Sequence, residues 1–338
     1  MTGRTVVAGL ATAAVVLGCG AATSTPATTT PATSLGTTPT ALARGRDAWV
    51  SVSVATLWRS PDSPRPVDAP ALADPVRMEA WLAAMSLAQR RDLAGRVDSE
   101  ALLGDRVRVV RLRPGWAKVV VPSQPTPLDA RGYPGWVPRR QLSAVAPVAS
   151  GRTATVLART PWLRADTAAA PRLFRVSFGT RLPVLGSGPH FVRVSVPGGT
   201  TRRLATGVVT VHDRGTPALA PTRAGLVGTA TSFVGLDYLW GGLSGFGVDC
   251  SGLTWLDYRV HGLRIPRDAA PQSSAGTHVG TPRRGDLLFY ASGGVVHHVA
   301  MYAGDGRMVH APHTGSTVQV APTATLADEY VGARRYLP

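Results

Sequence analysis

Residues 238–250 read YLWGGLSGFGVDC and run straight into SGLTWLDY. Glycines at 241, 242, 245 and 247 impose an irregular approach, after which Leu253, Leu256 and Val260 recur at helical spacing until Gly262 supplies a stop. The spacing predicts a helix with Cys250 in its first turn. Unpaired N–H groups and the positive end of the helix dipole favour an anion there, so the thiol is expected to have a lowered pKa and to carry thiolate at neutral pH. Thiolate is a nucleophile of acyl transfer.

A lone cysteine is more often a small buried hydrophobe than a nucleophile, so the chemistry reading requires a base. The string HHVAMYAGDGRMVHAP, residues 297–312, holds His297, His298 and His310. Its β-branched alternation around Gly304-Asp305-Gly306 predicts a hairpin. If the loop is residues 304–306, position 300 lies opposite 310, and His298 and His310 share one face as diagonal neighbours roughly 7–8 Å apart. A two-residue Asp-Gly loop would put them on opposite faces. The expectation is the three-residue loop, with His298 as base, His310 as the group that orients it, and His297 facing the other way by parity. His190, His212, His261, His278 and His313 are read as structural.

In order, YLWGG, VDCSGL, IPRDAAPQ, RRGDLLFY and HHVAMYAGDGRMVHAP make residues 222–338 resemble the NlpC-type cell-wall cysteine peptidases, papain-like enzymes that cleave peptidoglycan stem peptides. The resemblance implies Cys250 as nucleophile, His298 as base and His310 as its polar partner, in agreement with the register argument. It also implies that Tyr238 lines the cleft and that Asp249 helps to hold a substrate amine. The residues offer an N-cap as an equal reading of Asp249. Ser251 and the Cys250 N–H are candidates for positioning substrate and for the oxyanion hole. No metal or cofactor is expected, because no HExxH or Cys/His ligand set is present.

The 338-residue chain has room for two or three domains, and two cysteines, Cys19 and Cys250, exclude a disulfide scaffold. Residues 1–19, in which Arg4 precedes the apolar run Val6 to Leu17, read as an export signal too short to span a bilayer. VLGC resembles a bacterial lipobox, which implies lipid on Cys19 and anchorage to the outer face of the cytoplasmic membrane; plain secretion with cleavage near Ala22 is the alternative. Residues 20–45, almost entirely Thr, Ala, Pro, Gly and Ser, read as a disordered tether.

Residues 46–147, with LLGDRVRVVRLRPGWAKVVVP and RGYPGWVPRRQL, resemble a bacterial SH3-like barrel, and 152–213 a second, weaker copy. The expected fold class is therefore α+β: two small all-β SH3-like barrels before a papain-like catalytic domain. A helical insertion is expected at 74–93, capped by Asp74, with Pro75 at its first position and Met78, Trp81, Leu82 and Met85 as a packing stripe.

This order of modules is similar to the γ-D-glutamyl-L-diamino acid endopeptidases, which act on peptides with a free N-terminal L-alanine. That similarity implies that the first SH3-like module supplies a tyrosine, matched by Tyr133, and an acid to the amine pocket. Asp98 and Glu100 compete for the acid, with Glu100 the preferred match. The formal charge of +16, almost all arginine, would suit nucleic acid in a cytoplasmic protein. In an exported one, no nucleic acid is expected; the partners are a peptidoglycan or muropeptide substrate and anionic wall polymers.

Overall fold

The computed structural model describes residues 1–3, 9–14 and 41–337. The core of the export segment and Cys19 lie outside the described residues, as does the tether up to residue 40. Its last residues are built into the fold: Leu42 packs against the core, and the Gly45 N–H bonds the Val109 carbonyl at 2.8 Å. No helix among the described residues is long and apolar enough to cross a membrane.

Two seven-stranded antiparallel sheets come first. One uses Asp47–Val50, Val54–Trp58, Val97–Leu102, Arg106–Arg113, Trp116–Val121, Tyr133–Pro138 and Leu142–Ser143. The other uses Arg152–Val156, Trp162–Ala165, Arg172–Arg175, Arg181–Ser187, Phe191–Ser195, Thr201–Ala205 and Val209–Asp213. With strands counted from one within each sheet, both run 3-2-6-5-4-1-7. The weak internal similarity in sequence is thus a complete repeat in topology. Alternation sets the faces: in Arg106–Arg113, Val107 and Val109 turn inward between exposed Arg106 and Arg108. The Pro114-Gly115 turn needs glycine, with φ of +71°, to pair Arg113 with Trp116.

The insertion between the second and third strands departs from the single helix expected at 74–93. It contains Ala69–Leu72, Met78–Ala84 and Leu87–Arg91, flanked by 3-10 turns. Asp74 does not cap: the Arg77 N–H bonds the Pro70 carbonyl, folding the chain back, and the helix begins at Met78. Met78, Trp81, Leu82 and Met85 are buried, and the Trp81 indole donates to Asp68 at 2.8 Å. The stripe is packing.

The remainder places three helices, Arg223–Thr231, Cys250–Val260 and Ala269–Ser274, with a six-stranded antiparallel sheet. Its strands are ordered Thr277–Val279, Tyr330–Arg335, Leu287–Ser292, Val295–Gly304, Arg307–His310, Gln319–Pro322. One apolar core runs without a break from Ala48, Leu57 and Val119 of the first barrel to Leu239, Leu253 and Val299 of the third unit. The second barrel has a core of its own, which Leu103 enters from the first. First barrel and third unit therefore pack as one body.

Candidate active site

The Cys250–Val260 helix starts where the sequence places it, with Cys250 as its first residue. Asp249 is the N-cap, its Oδ1 accepting the Gly252 N–H at 2.6 Å. Oδ1 also accepts from the Ser251 hydroxyl at 3.2 Å, and Oδ2 from the Gly241 N–H at 3.0 Å. The Arg267 guanidinium then grips both oxygens, at 3.0 and 2.8 Å. Of the two readings open for Asp249, the cap accounts for its bonding capacity, and five donors leave little for a substrate amine. Ser251 is held in the same cluster, accepting from Arg267 at 3.0 Å.

Arg267 is fully buried and reaches across to the first barrel. Its Nε donates to Ser99 Oγ at 3.0 Å, Ser99 Oγ donates to Gln124 at 2.7 Å, and the Gln124 amide donates to the Glu100 carbonyl at 2.6 Å. Sequence reasoning missed Arg267. The available signal was an Arg-Asp pair, 267–268, in an otherwise uncharged run opening a helix.

His298 lies on the central Val295–Gly304 strand and His310 at the end of its neighbour. Met301 pairs Val309 and Tyr302 pairs Met308, which places 300 opposite 310 as expected from the sequence. The loop differs: Asp305 and Gly306 alone form it, both at positive φ, and an extra residue between Tyr302 and Gly304 restores the register. A two-residue turn plus a one-residue bulge is equivalent to the three-residue loop. The two rings meet with His298 Nε2 3.0 Å from His310 Nδ1, and Gln319 Nε2 stands 3.3 Å from the far nitrogen of His310. The Cys250 thiol lies against the Val299 N–H, the residue following His298, and against the Ser251 N–H.

The lowered thiol pKa expected from the helix terminus is overturned. Burial, and then the Asp249 carboxylate, push the Cys250 thiol up to about 12. Burial and the neighbouring His310 push His298 down to about 3, and burial holds His310 near 4. A helix terminus is worth at most ~2 kcal/mol, less than the desolvation of a thiolate in a closed site. At neutral pH the resting pair is a thiol and an uncharged imidazole.

Cys250 opens on a cavity of about 850 Å³. The third unit contributes Tyr238, Trp240 and Asp268 to its wall, and the first barrel contributes Arg59, Asp98 and Tyr133. Burial holds the Tyr238 and Tyr133 phenols well above their ordinary pKa, so both remain hydrogen-bond donors; Tyr133 donates to Asp268 Oδ1 at 3.3 Å. Trp240 docks on the barrel through its indole N–H, 3.0 Å from the Val97 carbonyl.

Asp98, not Glu100, reaches this cavity. Ser99 pairs Leu57 while Val97 pairs Trp58, which leaves Asp98 as an unpaired bulge residue whose side chain turns out to the cleft beside Arg59, at 2.7 Å. Glu100 points into the joint between barrel and third unit, where one oxygen accepts the Leu243 N–H at 3.0 Å and the other is buried near Ser244 with no hydrogen bond within ordinary distance among the described residues. Burial pushes its carboxyl up to about 7. A second bulge acts likewise on His297: Tyr290 pairs His298 and Ala291 pairs Val296. His297 faces away from the His298–His310 pair, stands 3.3 Å from Glu329, and still reaches the cleft rim. His261 and His212 are held by structural partners, Ala220 and Thr155. Among the described residues no group of three His, Cys, Asp or Glu side chains is disposed to hold a metal ion.

The family model described as the NlpC/P60 family matches residues 235–335, and one described as the YKFC SH3b2 domain matches 156–212. The chain is 40% identical over 303 residues to a gamma-D-glutamyl-L-lysine dipeptidyl-peptidase of Bacillus cereus, spanning 86% of this chain and 91% of that one. It is 35% identical over 276 residues to the protein of the same description from Bacillus subtilis, spanning 79% and 90%. A crystal structure of an NlpC/P60 family protein from Bacillus cereus superposes with a TM-score of 0.82 at 39% identity, covering 86% of this chain and 100% of that one.

Proposed function

We propose, from the premise that this chain belongs to the NlpC/P60 family of cysteine peptidases, that it hydrolyses the bond between γ-D-glutamate and an L-diamino acid in peptidoglycan stem peptides with a free N-terminal L-alanine. The observation that carries the reading is the cavity in which Cys250 faces a wall built jointly with the first barrel, with carboxylates at Asp98 and Asp268 and phenol donors at Tyr133 and Tyr238. A cleft wall that carries the Asp98 and Asp268 carboxylates suits a short peptide that enters by its ammonium group, because a desolvated ammonium needs a charged partner.

The steps follow from the groups present. His298 takes the Cys250 proton on Nδ1, the ring nitrogen that His310 leaves free, so the two charges form together at the buried floor of the cleft. The sulfur adds to the γ-carbonyl carbon, and the oxyanion is met by N–H groups at the start of the helix. The imidazolium gives its proton to the departing amine as the C–N bond breaks. His298 then draws a proton from water, which cleaves the thioester and frees L-Ala-D-Glu. His310 holds the ring in the required orientation. Export, through the segment 1–19 and with lipid on Cys19, would place this activity outside the cytoplasmic membrane, in contact with the wall and its anionic polymers.

The test is mass spectrometry of L-Ala-γ-D-Glu-diaminopimelate after incubation with protein lacking residues 1–40, beside Cys250→Ala and an N-acetylated peptide. Release of L-Ala-D-Glu that requires both Cys250 and the free amine is expected. Equal cleavage of the acetylated peptide would remove the amine pocket from the reading, and no cleavage of either would overturn it.

A further inference from the structure

Away from the catalytic cleft, the first barrel, second barrel and third unit meet around Arg181. The Arg181 side chain separates a cavity of about 700 Å³, lined also by Arg106 and Arg214, from a smaller one of about 200 Å³, lined also by Arg259 and Arg264. Five arginines thus line two adjoining cavities that share Arg181, Gly262 and Leu263, and among the described residues no Asp or Glu lines either one. Two of the five are neutralised from behind: Arg106 by Asp47 at 2.9 Å, and Arg259 by the buried Asp105 at 3.2 Å. Arg181, Arg214 and Arg264 have no carboxylate partner among the described residues; Arg264 donates to the Pro122 carbonyl and Arg181 to that of Arg259.

Arg181 is the telling member. Its Nε is buried with no hydrogen-bond partner among the described residues. Burial, with the adjacent charge of Arg259, pulls its pKa down to about 10. The nearby Asp105 carboxylate works against that shift but is engaged by Arg259, and a desolvated guanidinium with an unused donor and no ion pair of its own is costly and calls for an anion. Of the histidines lining the larger cavity, His261 donates from Nδ1 to the Ala220 carbonyl and meets the Thr229 hydroxyl through Nε2, with burial lowering its pKa, and His212 is engaged by Thr155.

We propose that this groove at the three-way junction is a second binding site, one that takes the oxyanion of a phosphate-bearing chain. Guanidinium forks match phosphoryl oxygens with paired hydrogen bonds. The groove is far larger than one phosphate and presents three arginines with no ion pair among the described residues, which suits a phosphodiester polymer over a single carboxylate. Bound there, the anion would tie the two barrels to the catalytic unit while leaving the Cys250 cleft open.

The proposal is independent of the reaction at Cys250, and so is its test. The protein lacking residues 1–40, with Arg181→Met and Arg181→Met/Arg214→Gln variants, is titrated with inorganic pyrophosphate, a poly(glycerol phosphate) oligomer and poly-γ-glutamate, by calorimetry and by thermal unfolding. Pyrophosphate and the phosphodiester oligomer are expected to raise the unfolding temperature of the parent and to bind the double variant at least 10-fold more weakly, with unchanged peptide cleavage. Arg181→Met alone should be no less stable than the parent in anion-free buffer. Equal phosphate binding by parent and double variant would overturn the site, as would a phosphate-independent stability in the parent. Tighter binding of poly-γ-glutamate than of the phosphodiester oligomer would overturn the ligand class.

Discussion

The Arg267 guanidinium spans both carboxylate oxygens of Asp249, at 3.0 and 2.8 Å, one residue before Cys250 in the chain. That carboxylate opposes thiolate formation, and the arginine offsets part of its field. Arg267→Gln should therefore move the pH profile of Cys250 alkylation to higher pH, lower kcat/KM at least 10-fold, and cost about 3 kcal/mol of stability through the stranded Asp249. Adding Asp249→Asn should recover part of the stability. An alkylation profile unchanged by Arg267→Gln would show that the pair is purely structural.

The depressed histidines fix the sign of the acid response. Unfolded, His298 and His310 take up protons near pH 6.5; folded, only near 3 and 4. Between those values the unfolded chain binds more protons, so stability must fall as pH drops from 6.5 towards 4, by up to about 1.4 kcal/mol per pH unit for each group. Urea midpoints at pH 7.5, 6 and 5 test this, and His310→Asn should make the decline shallower. The same variant should keep more activity than His310→Ala, since an amide can still orient the base.

Glu100 has the opposite sign. Its carboxyl is pushed up from 4.5 to about 7 by burial, so the folded state holds the proton longer, and stability is lost as pH rises through that range. Glu100→Gln should stabilise the protein at pH 8 by roughly 2–3 kcal/mol and give no gain at pH 4. Equal midpoint shifts at both pH values would contradict the buried, proton-bearing carboxyl.

Asp98 and Glu100 also part company in catalysis. Asp98→Asn should raise KM for the free-amine peptide about 10-fold or more with kcat little changed, while Glu100→Gln at pH 6 leaves KM alone. A KM effect confined to Glu100→Gln would reverse the assignment made from the bulge.

The unequal legibility of this chain has a physical cause. Cys250 at a helix start and the His298–His310 register follow from local spacing, and both are found where the sequence puts them. Asp98 and Glu100 could not be told apart, because period two gives them the same face; a single unpaired residue opposite Leu57 and Trp58 breaks that parity. Bulges depend on the partner strand, which sequence periodicity does not contain. Arg267 escaped for a related reason: its partner across the joint, Ser99, lies more than a hundred residues away. The thiol pKa was misjudged because dipole direction is local, whereas burial depends on the whole fold.

The apolar core shared by the first barrel and the third unit has a consequence for how such a chain can be cut and recombined. Residues 214–338 carry the nucleophile, the base and its partner, yet the surface they would expose on separation includes Leu239 and Leu243, Gly241 against Val97, and an Arg267 stripped of Ser99. A gene fragment encoding only that stretch should yield insoluble or slowly aggregating protein. The second barrel has an interior of its own, yet it is keyed to the same body: Phe178 stacks edge-on against Phe233 in the shared core, and Ser177 Oγ accepts the Gly245 N–H in the loop that leads to Cys250, so exchanging that module would also disturb the approach to the nucleophile.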